Sequence, residues 1–553
     1  MQSLRRCTAA LLTSAFLLLA SHDRASSAPT SSGGDYAVAE KSVAALEADL
    51  ATGRVTSEGL VRAYLARISA IDTSGPALAS VIALNPHALD DARASDAARS
   101  AGTLHGALAG IPVLVKDNIE TNDGTATTAG SLALANNVTH RDAPLVTRLR
   151  AAGAIVLGKT NLSEWANIRS SHSISGWSAV GGLVKNPYAL DRNACGSSSG
   201  TGAAIAASLA AVGVGTETDG SVTCPSSMNG LVGLKPTVGL VSRTHVVPIS
   251  HTQDTPGPMG RSVADVAILL AGLAGSDPAD VATLHADAHL HDYVAAARDG
   301  SLAGKRLGVL RYATGSSPEV DALFARAIAA LKARGATIVE IKRFKPDRRL
   351  GDAEGAVLFT ELKSDLNAYL ATTPRAVTSR TLGALIAFDR AHPRELSLFG
   401  QDEFEKANLL GGLTNPTYLK ARALAHRLAG PAGIDALVKA KKLDALIAPT
   451  SGPAWRTDIV DGDNASGGAG ELPAVAGYPH LTVPMGYVRT MPVGLSFIGP
   501  AWSEATLLGL GAAYERATKL RHAPTYAASV ETTPGFAPLL APLHPASDPT
   551  PSS

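Results

Sequence analysis

Residues 195–225 read Cys-Gly-Ser-Ser-Ser-Gly-Thr-Gly-Ala-Ala-Ile-Ala-Ala-Ser-Leu-Ala-Ala-Val-Gly-Val-Gly-Thr-Glu-Thr-Asp-Gly-Ser-Val-Thr-Cys-Pro. The stretch holds a glycine- and serine-rich loop, an alanine-rich run of helical character, a short apolar run, and a second Gly-Ser turn. A loop, helix, strand and turn in that order form a fragment of a layered α/β sheet, and its two ends can aim serine hydroxyls into one pocket. The alternation continues outward on both sides. Ile111–Val115, Ala154–Leu157, Ala211–Val214, Leu307–Leu310, Thr337–Ile341 and Ala445–Ala448 are strand-like runs of four or five residues separated by helical stretches. Val38–Leu50 and Leu60–Ile71 repeat apolar residues at helical spacing, with Thr56 and Ser57 as cap candidates for the second. Leu284–Leu302 and Phe344–Pro431 read as helical or loop insertions on the core.

The chain has 553 residues, 45% of them hydrophobic and 18% charged, which excludes a disordered scaffold. Lys+Arg 49 against Asp+Glu 48 leaves a net charge of +1, no field to hold a polyanion, so nucleic acid is not an expected partner. Three cysteines, Cys7, Cys195 and Cys224, are too few for a disulfide framework or a four-thiolate zinc site.

Residues 1–28 read as a secretory signal. Arg5 and Arg6 supply a positive start, Thr8–Ala20 is apolar but too short to span a membrane comfortably, and Ala25-Ser-Ser-Ala28 supplies small residues for cleavage. Export to the periplasm or the medium is the expectation, with no stable membrane span. Residues 29–35 read as a flexible leader and 531–553 as a Pro-rich tail.

A serine hydroxyl becomes a nucleophile only when a neighbour takes its proton, and glycines beside it let backbone N–H groups approach a developing oxyanion. Three lysines follow apolar or glycine-containing runs and are candidate bases: Lys116, Lys159 and Lys235. Burial at a strand end would leave any of them a lone pair near neutral pH, and spacing does not choose among them. Gly196-Ser-Ser-Ser-Gly200 also satisfies G-x-S-x-G, which would make Ser198 the nucleophile of a strand-to-helix elbow with partners such as Asp458 and His480. That elbow needs a strand directly before it, and Tyr188–Ala194 reads as loop. His285, Asp287, His289, His291 and Asp292 form a weak metal pattern that reads as a solvated loop, and no metal or other cofactor is expected. Cys195 and Cys224 flank the serines; buried inert thiols are expected, with a mutual pairing as the alternative. Trp165, Trp177, Trp455 and Trp502 fit either a substrate cleft or the core.

The motifs resemble those of the amidase signature hydrolases. The blocks are Gly106-Ala-Leu-Ala-Gly-Ile-Pro-Val-Leu-Val-Lys-Asp-Asn118, Gly158-Lys-Thr-Asn-Leu-Ser-Glu-Trp-Ala-Asn167, both Gly/Ser segments, Gly230-Leu-Val-Gly-Leu-Lys-Pro-Thr237, Gln253-Asp-Thr-Pro-Gly-Pro-Met259, Asp444-Ala-Leu-Ile-Ala-Pro-Thr450, Ala476–Gly486 and Pro492-Val-Gly-Leu495. The resemblance implies an α/β fold with one large mixed β-sheet sandwiched between helix layers, in a single amidase domain over 36–530. It also implies a catalytic set of Lys116, Ser197 with a cis peptide bond, and Ser221 as nucleophile, the serines 24 positions apart as in the family. Ser198 becomes a supporting residue, and the backbone N–H groups of Thr218, Asp219, Gly220 and Ser221 an oxyanion hole.

Two departures refine the expected substrate. Many members of the family have Gly-Gly-Ser at the nucleophile and an arginine two residues later, whereas this chain has Asp219 and Thr223 there. A site without that guanidinium is less suited to a small substrate carrying its own carboxylate. The resemblance thus implies hydrolysis of a peptide C-terminal amide to the free acid and ammonia. A broad aliphatic or aryl amide hydrolase and an inactive binding protein on the same fold are the alternatives; oligomeric state is left open.

Overall fold

The computed structural model describes residues 36–540. The expected signal and leader at 1–35, and the tail beyond 540, lie outside the described residues. Thirteen strands are present among them: β1 (Val81–Leu84), β2 (Pro112–Lys116), β3 (Ile155–Thr160), β4 (Trp177–Ser178), β5 (Gly182–Leu183), β6 (Val212–Glu217), β7 (Val232–Lys235), β8 (Thr255–Gly260), β9 (Arg306–Leu310), β10 (Thr337–Ile341), β11 (Ala445–Pro449), β12 (His480–Val488) and β13 (Met491–Ile498). Eleven form one sheet in the order β1-β3-β2-β6-β8-β7-β12-β13-β11-β9-β10, with β4 and β5 a separate hairpin. The sheet is mixed: β3-β2-β6 and β11-β9-β10 run parallel, and the strands between and the edge strand β1 pair antiparallel.

The six strands expected from apolar runs are all present: β2, β3, β6 and β11 lie inside the sheet and bury every position, which is why they carry apolar runs, whereas β9 is less buried at Arg306 and β10, at the edge of the sheet, is buried at Ile341 alone. Both opening helices form. The first begins at Val43, five residues later than its apolar pattern, because Ser42 caps it by accepting from the Ala45 N–H. The second starts at Ser57 with Thr56 as its cap. The region 344–431 is helical, with Arg349–Ala371 its longest element.

Helices cover both faces of the sheet. Gly213 and Gly233 both pair with Met259 and share one face, and a Cβ on Gly213 would meet Thr201 and Ile205 of the helix Ser199–Ala206. Gly260 lies on the other face, where a Cβ would meet Asp265 and Val266 of the helix Val263–Leu273. The main core cluster runs from Val38 to Val530 and gathers the inward positions of nearly every strand. No helix among the described residues is long and apolar enough to cross a membrane.

Candidate active site

Lys116 ends β2, and the alternation along β2 and β6 turns its side chain to the face that carries the helix Ser199–Ala206. Its amine contacts Ser197 Oγ at 2.8 Å, Thr216 Oγ1 at 2.9 Å and the Thr216 carbonyl at 3.3 Å. Asn118 Nδ2 donates to the same Thr216 hydroxyl at 3.0 Å. Lys116 is fully buried, and burial pushes its amine down to about 7 against the opposing pull of Asp254 and Glu217.

The peptide bond between Gly196 and Ser197 is cis. Ser163 donates its N–H to the Ser197 carbonyl at 3.0 Å, and a Cβ on Gly196 would lie 2.2 Å from Ser163 Oγ. Only glycine lets the two segments approach so closely. Ser198 is tied into β6 both ways: its hydroxyl donates to the Thr216 carbonyl at 3.1 Å and accepts the Thr216 N–H at 3.2 Å. No strand precedes it between Leu183 and Ser199, so the elbow reading lacks its frame. Its would-be partner His480 is buried against Ser496 Oγ at 2.6 Å instead, with burial pushing the imidazole down to about 3.

The second segment comes alongside through its backbone: Ser198 donates its N–H to the Ser221 carbonyl at 3.1 Å. Ser221 is 8% exposed, and its hydroxyl makes no hydrogen bond among the described residues, whereas Ser197 has no exposed surface. The N–H groups of Asp219, Gly220 and Ser221 likewise find no acceptor among the described residues. The next two are held: Glu217 Oε2 accepts from Val222 N–H at 2.7 Å and Thr223 N–H at 2.9 Å. Thr218 Oγ1 donates to Asp254 Oδ1 at 2.6 Å.

Cys195 and Cys224 form a disulfide with Cα atoms 6.1 Å apart. This corrects the expectation of two inert thiols. Each cysteine lies within three residues of a serine of interest, and the sheet brings those serines together, so the sulfurs meet as well.

All three candidate lysines are buried, and their partners separate them. Lys159 donates to the Ile119 carbonyl at 2.6 Å and Thr127 Oγ1 at 2.9 Å, with Asp117 Oδ1 at 3.9 Å. Lys235 donates to the Pro236 carbonyl at 3.1 Å. Lys116 alone of the three touches a serine hydroxyl.

Asp219 has an exposed face, and its carboxyl is pushed well above the usual range by its enclosure and by Glu354, Glu217 and Glu471. The open face weakens the first cause, so the three neighbouring carboxylates carry the direction. Beside Thr216 and Thr218 opens a cavity of about 1220 Å³, walled by Asn118, Val247, His251, Tyr369 and Val475 among others. None of the four tryptophans lines it: Trp165 packs on Phe404, Trp177 on Phe399, and Trp502 stacks on His289. The polar residues at 285–292 serve local contacts, with Asp287 accepting from Ser276 and Asp292 capping the helix Tyr293–Asp299. His251, Glu361 and Asp365 bring possible ligand atoms together, but Glu361 already accepts from Tyr418, Ser250 and Thr252.

Sequence reasoning missed Asn118, Thr216, Glu217 and Asp254, which orient the lysine and the second serine segment. All four lie inside the quoted motif blocks, yet no spacing rule marks them. It also missed the role of glycine in the strands below. A Cβ on Gly215 would sit 2.7 Å from Ser198 Oγ, and one on Gly233 2.1 Å from Ser226 Oγ. Bare backbone at these positions lets both serine segments lie directly on the sheet.

This frame, a mixed sheet with a buried lysine against a serine under a second serine loop, defines an enzyme of the amide-hydrolysing class. The chain belongs to the amidase family, whose model matches residues 59–508. It is 38% identical over 486 residues to a probable amidase of Arabidopsis thaliana, covering 86% of this chain and 89% of that one. It is 35% identical over 497 residues to a putative amidase of Arthroderma benhamiae, covering 85% of this chain and 80% of that one. Among solved structures it is similar to the native peptide amidase of Stenotrophomonas maltophilia, with a TM-score of 0.83 and 48% identity over 88% of this chain and 99% of that one.

Proposed function

We propose that this amidase removes the C-terminal carboxamide of peptides, with Ser221 as nucleophile, Ser197 as proton relay and Lys116 as base, in a single amidase domain over 36–530. The observation that carries the reading is a buried amine, pushed down to about 7, in contact with Ser197 Oγ at 2.8 Å. Such an amine is uncharged in a large fraction of molecules at neutral pH and can accept a proton. In the proposed cycle Ser221 Oγ attacks the amide carbon while its proton passes to Ser197 Oγ and the Ser197 proton passes to Lys116 Nζ. The N–H groups of Thr218, Asp219, Gly220 and Ser221 receive the oxyanion, each donor contributing a factor of about 10²–10³. Collapse breaks the C–N bond, the proton returns along the relay to the leaving nitrogen, and ammonia departs. Water then attacks the acyl ester by the same route, releasing the acid and restoring Ser221.

Three observations support a peptide substrate: the identity to a peptide amidase along most of the chain, Thr223 in place of an arginine, and a cavity large enough for several residues. The disulfide supports export, since such bonds persist in oxidising compartments. The test is ammonia release from a panel of peptide amides, free peptides and simple amides, with mass spectrometry of the products. Loss of only the terminal amide nitrogen, abolished in Ser221→Ala, is expected. Equal rates on simple aliphatic or aryl amides would favour the broader amidase, cleavage of internal bonds would overturn the substrate assignment, and no turnover at all would favour a binding protein.

A further inference from the structure

Three carboxylates of the helix Arg349–Ala371 grip one short loop, residues 250–254. Glu354, Glu361 and Asp365 are spaced two turns and then one turn apart, so they share a face of that helix. Asp365 Oδ2 accepts the His251 N–H at 2.9 Å, Glu361 Oε2 accepts the Thr252 hydroxyl at 2.9 Å, and Glu354 Oε1 accepts from Gln253 Nε2 at 2.8 Å. Asp254 closes the loop on itself, its Oδ2 accepting the N–H groups of Ile249 at 2.8 Å and Ser250 at 2.9 Å. The loop meets the nucleophile segment at Thr218 and holds it at two points. Asp254 Oδ1 accepts the Thr218 hydroxyl at 2.6 Å, and Gln253 Nε2 donates to the Thr218 carbonyl at 3.4 Å. The two N–H groups of the Gln253 amide thus each have an acceptor, one on Glu354 and one on Thr218. The bond to Glu354 is the shorter and aims the amide at the carbonyl. Gln253 and Glu354 are both buried, so that bond is shielded from water.

The Thr218 carbonyl belongs to the same peptide unit as the Asp219 N–H. That peptide is trans, so the two groups point to opposite sides of the chain. A donor on the carbonyl therefore fixes the direction of the N–H, and the Asp219 N–H has no acceptor among the described residues. We propose that Gln253 is a positioning residue for the oxyanion hole: aimed by Glu354, its amide holds the Thr218–Asp219 peptide so that the Asp219 N–H faces the developing oxyanion. The proposal rests on the reading of Ser221 as nucleophile. Without the amide the peptide unit is free to turn between its neighbours, and the donor loses its alignment. The negative oxygen forms only on the way to the transition state, so the loss falls on kcat and leaves substrate binding nearly unchanged.

The experiment measures kcat and KM on a peptide amide for wild type, Gln253→Met, Glu354→Gln and Glu354→Met, with circular dichroism to confirm folding. It also measures inhibition by a peptide aldehyde, which adds reversibly to the Ser221 hydroxyl as a hemiacetal and sets its oxygen in the oxyanion position, and by the product peptide acid, which binds without that bond. Gln253→Met keeps the length of the side chain and removes the donor. It is expected to lower kcat about 10- to 100-fold with little change in KM, and to weaken the aldehyde by a similar factor but not the acid. Glu354→Gln, which keeps an acceptor for the amide, is expected to retain most of the activity. Glu354→Met, of similar volume and without an acceptor, is expected to lose nearly as much as Gln253→Met. Wild-type kcat in Gln253→Met, a loss of affinity shared equally by aldehyde and acid, or a Glu354→Met at least as active as Glu354→Gln would each overturn the proposal. Where Gln253→Met does not fold, the Glu354 pair decides. A wild type without ammonia release, or an active Ser221→Ala, would instead overturn the nucleophile reading.

Discussion

Exchanging lysine for arginine at position 116 separates a base from a fixed cation. Burial lowers the Lys116 amine from 10.5 to about 7, which disfavours the ammonium by about 5 kcal/mol at roughly 1.4 kcal/mol per unit. With a midpoint near 7, the uncharged fraction grows from about 10% at about pH 6 to about half at about pH 7, so kcat/KM rises about fivefold over that interval. Lys116→Arg keeps the positive charge and the reach toward Ser197 and Thr216, yet it has no lone pair to offer at any of these pH values. It is expected to lose a factor of about 10²–10⁴, the contribution of a positioned general base, and to show no rise with pH over the same interval. The assay is the initial rate of ammonia release at low substrate, with circular dichroism as a check on folding. If Lys116→Arg keeps most of the activity, or if wild-type kcat/KM falls from pH 6 to 7, the lysine acts as a cation and the base assignment is refuted.

Other expectations follow from the packing. Gly233→Ala puts a methyl 2.1 Å from Ser226 Oγ and 3.2 Å from the Val222 carbonyl, so it is expected to destabilise by about 1–3 kcal/mol and to slow turnover by lifting the segment after Ser221; unchanged melting and rate would contradict the close fit. The disulfide closes a loop across a separation of 29 residues that contains both serines, worth about 3–4 kcal/mol of chain entropy. Reductant and the Cys195→Ser/Cys224→Ser pair are expected to lower the melting temperature by the same amount, and a melting temperature insensitive to both would show that the bond contributes nothing.

The core of the fold was legible because β2, β3, β6, β9, β10 and β11 are apolar runs. The strand β8 was not: Thr-Pro-Gly-Pro-Met-Gly reads as a turn, and it is a strand because close packing on both faces demands residues without bulk. The strands β12 and β13 lay inside family blocks, yet no short-range pattern disclosed their pairing or their place at the sheet centre. At the site, local sequence placed Lys116, Lys159 and Lys235 on equal terms, since each lies at the end of a strand or one residue before it and all three are buried. What distinguishes them is the partner across the sheet, a long-range property: the family resemblance singled out Lys116, and Lys116 is the one of the three that contacts Ser197 Oγ. The disulfide was an open alternative because a cysteine near a serine carries no signal of which sulfur will face it.

The most direct measurement is the mass of the covalent intermediate. A slowly deacylating activated ester of a peptide acid, quenched in acid and digested, should leave its acyl group on the peptide carrying Ser221, with no label on the segment that holds Ser197 and Ser198 and none at all in Ser221→Ala. An acyl group found on Ser197 or Ser198, or hydrolysis continuing at the wild-type rate without Ser221, would contradict the account.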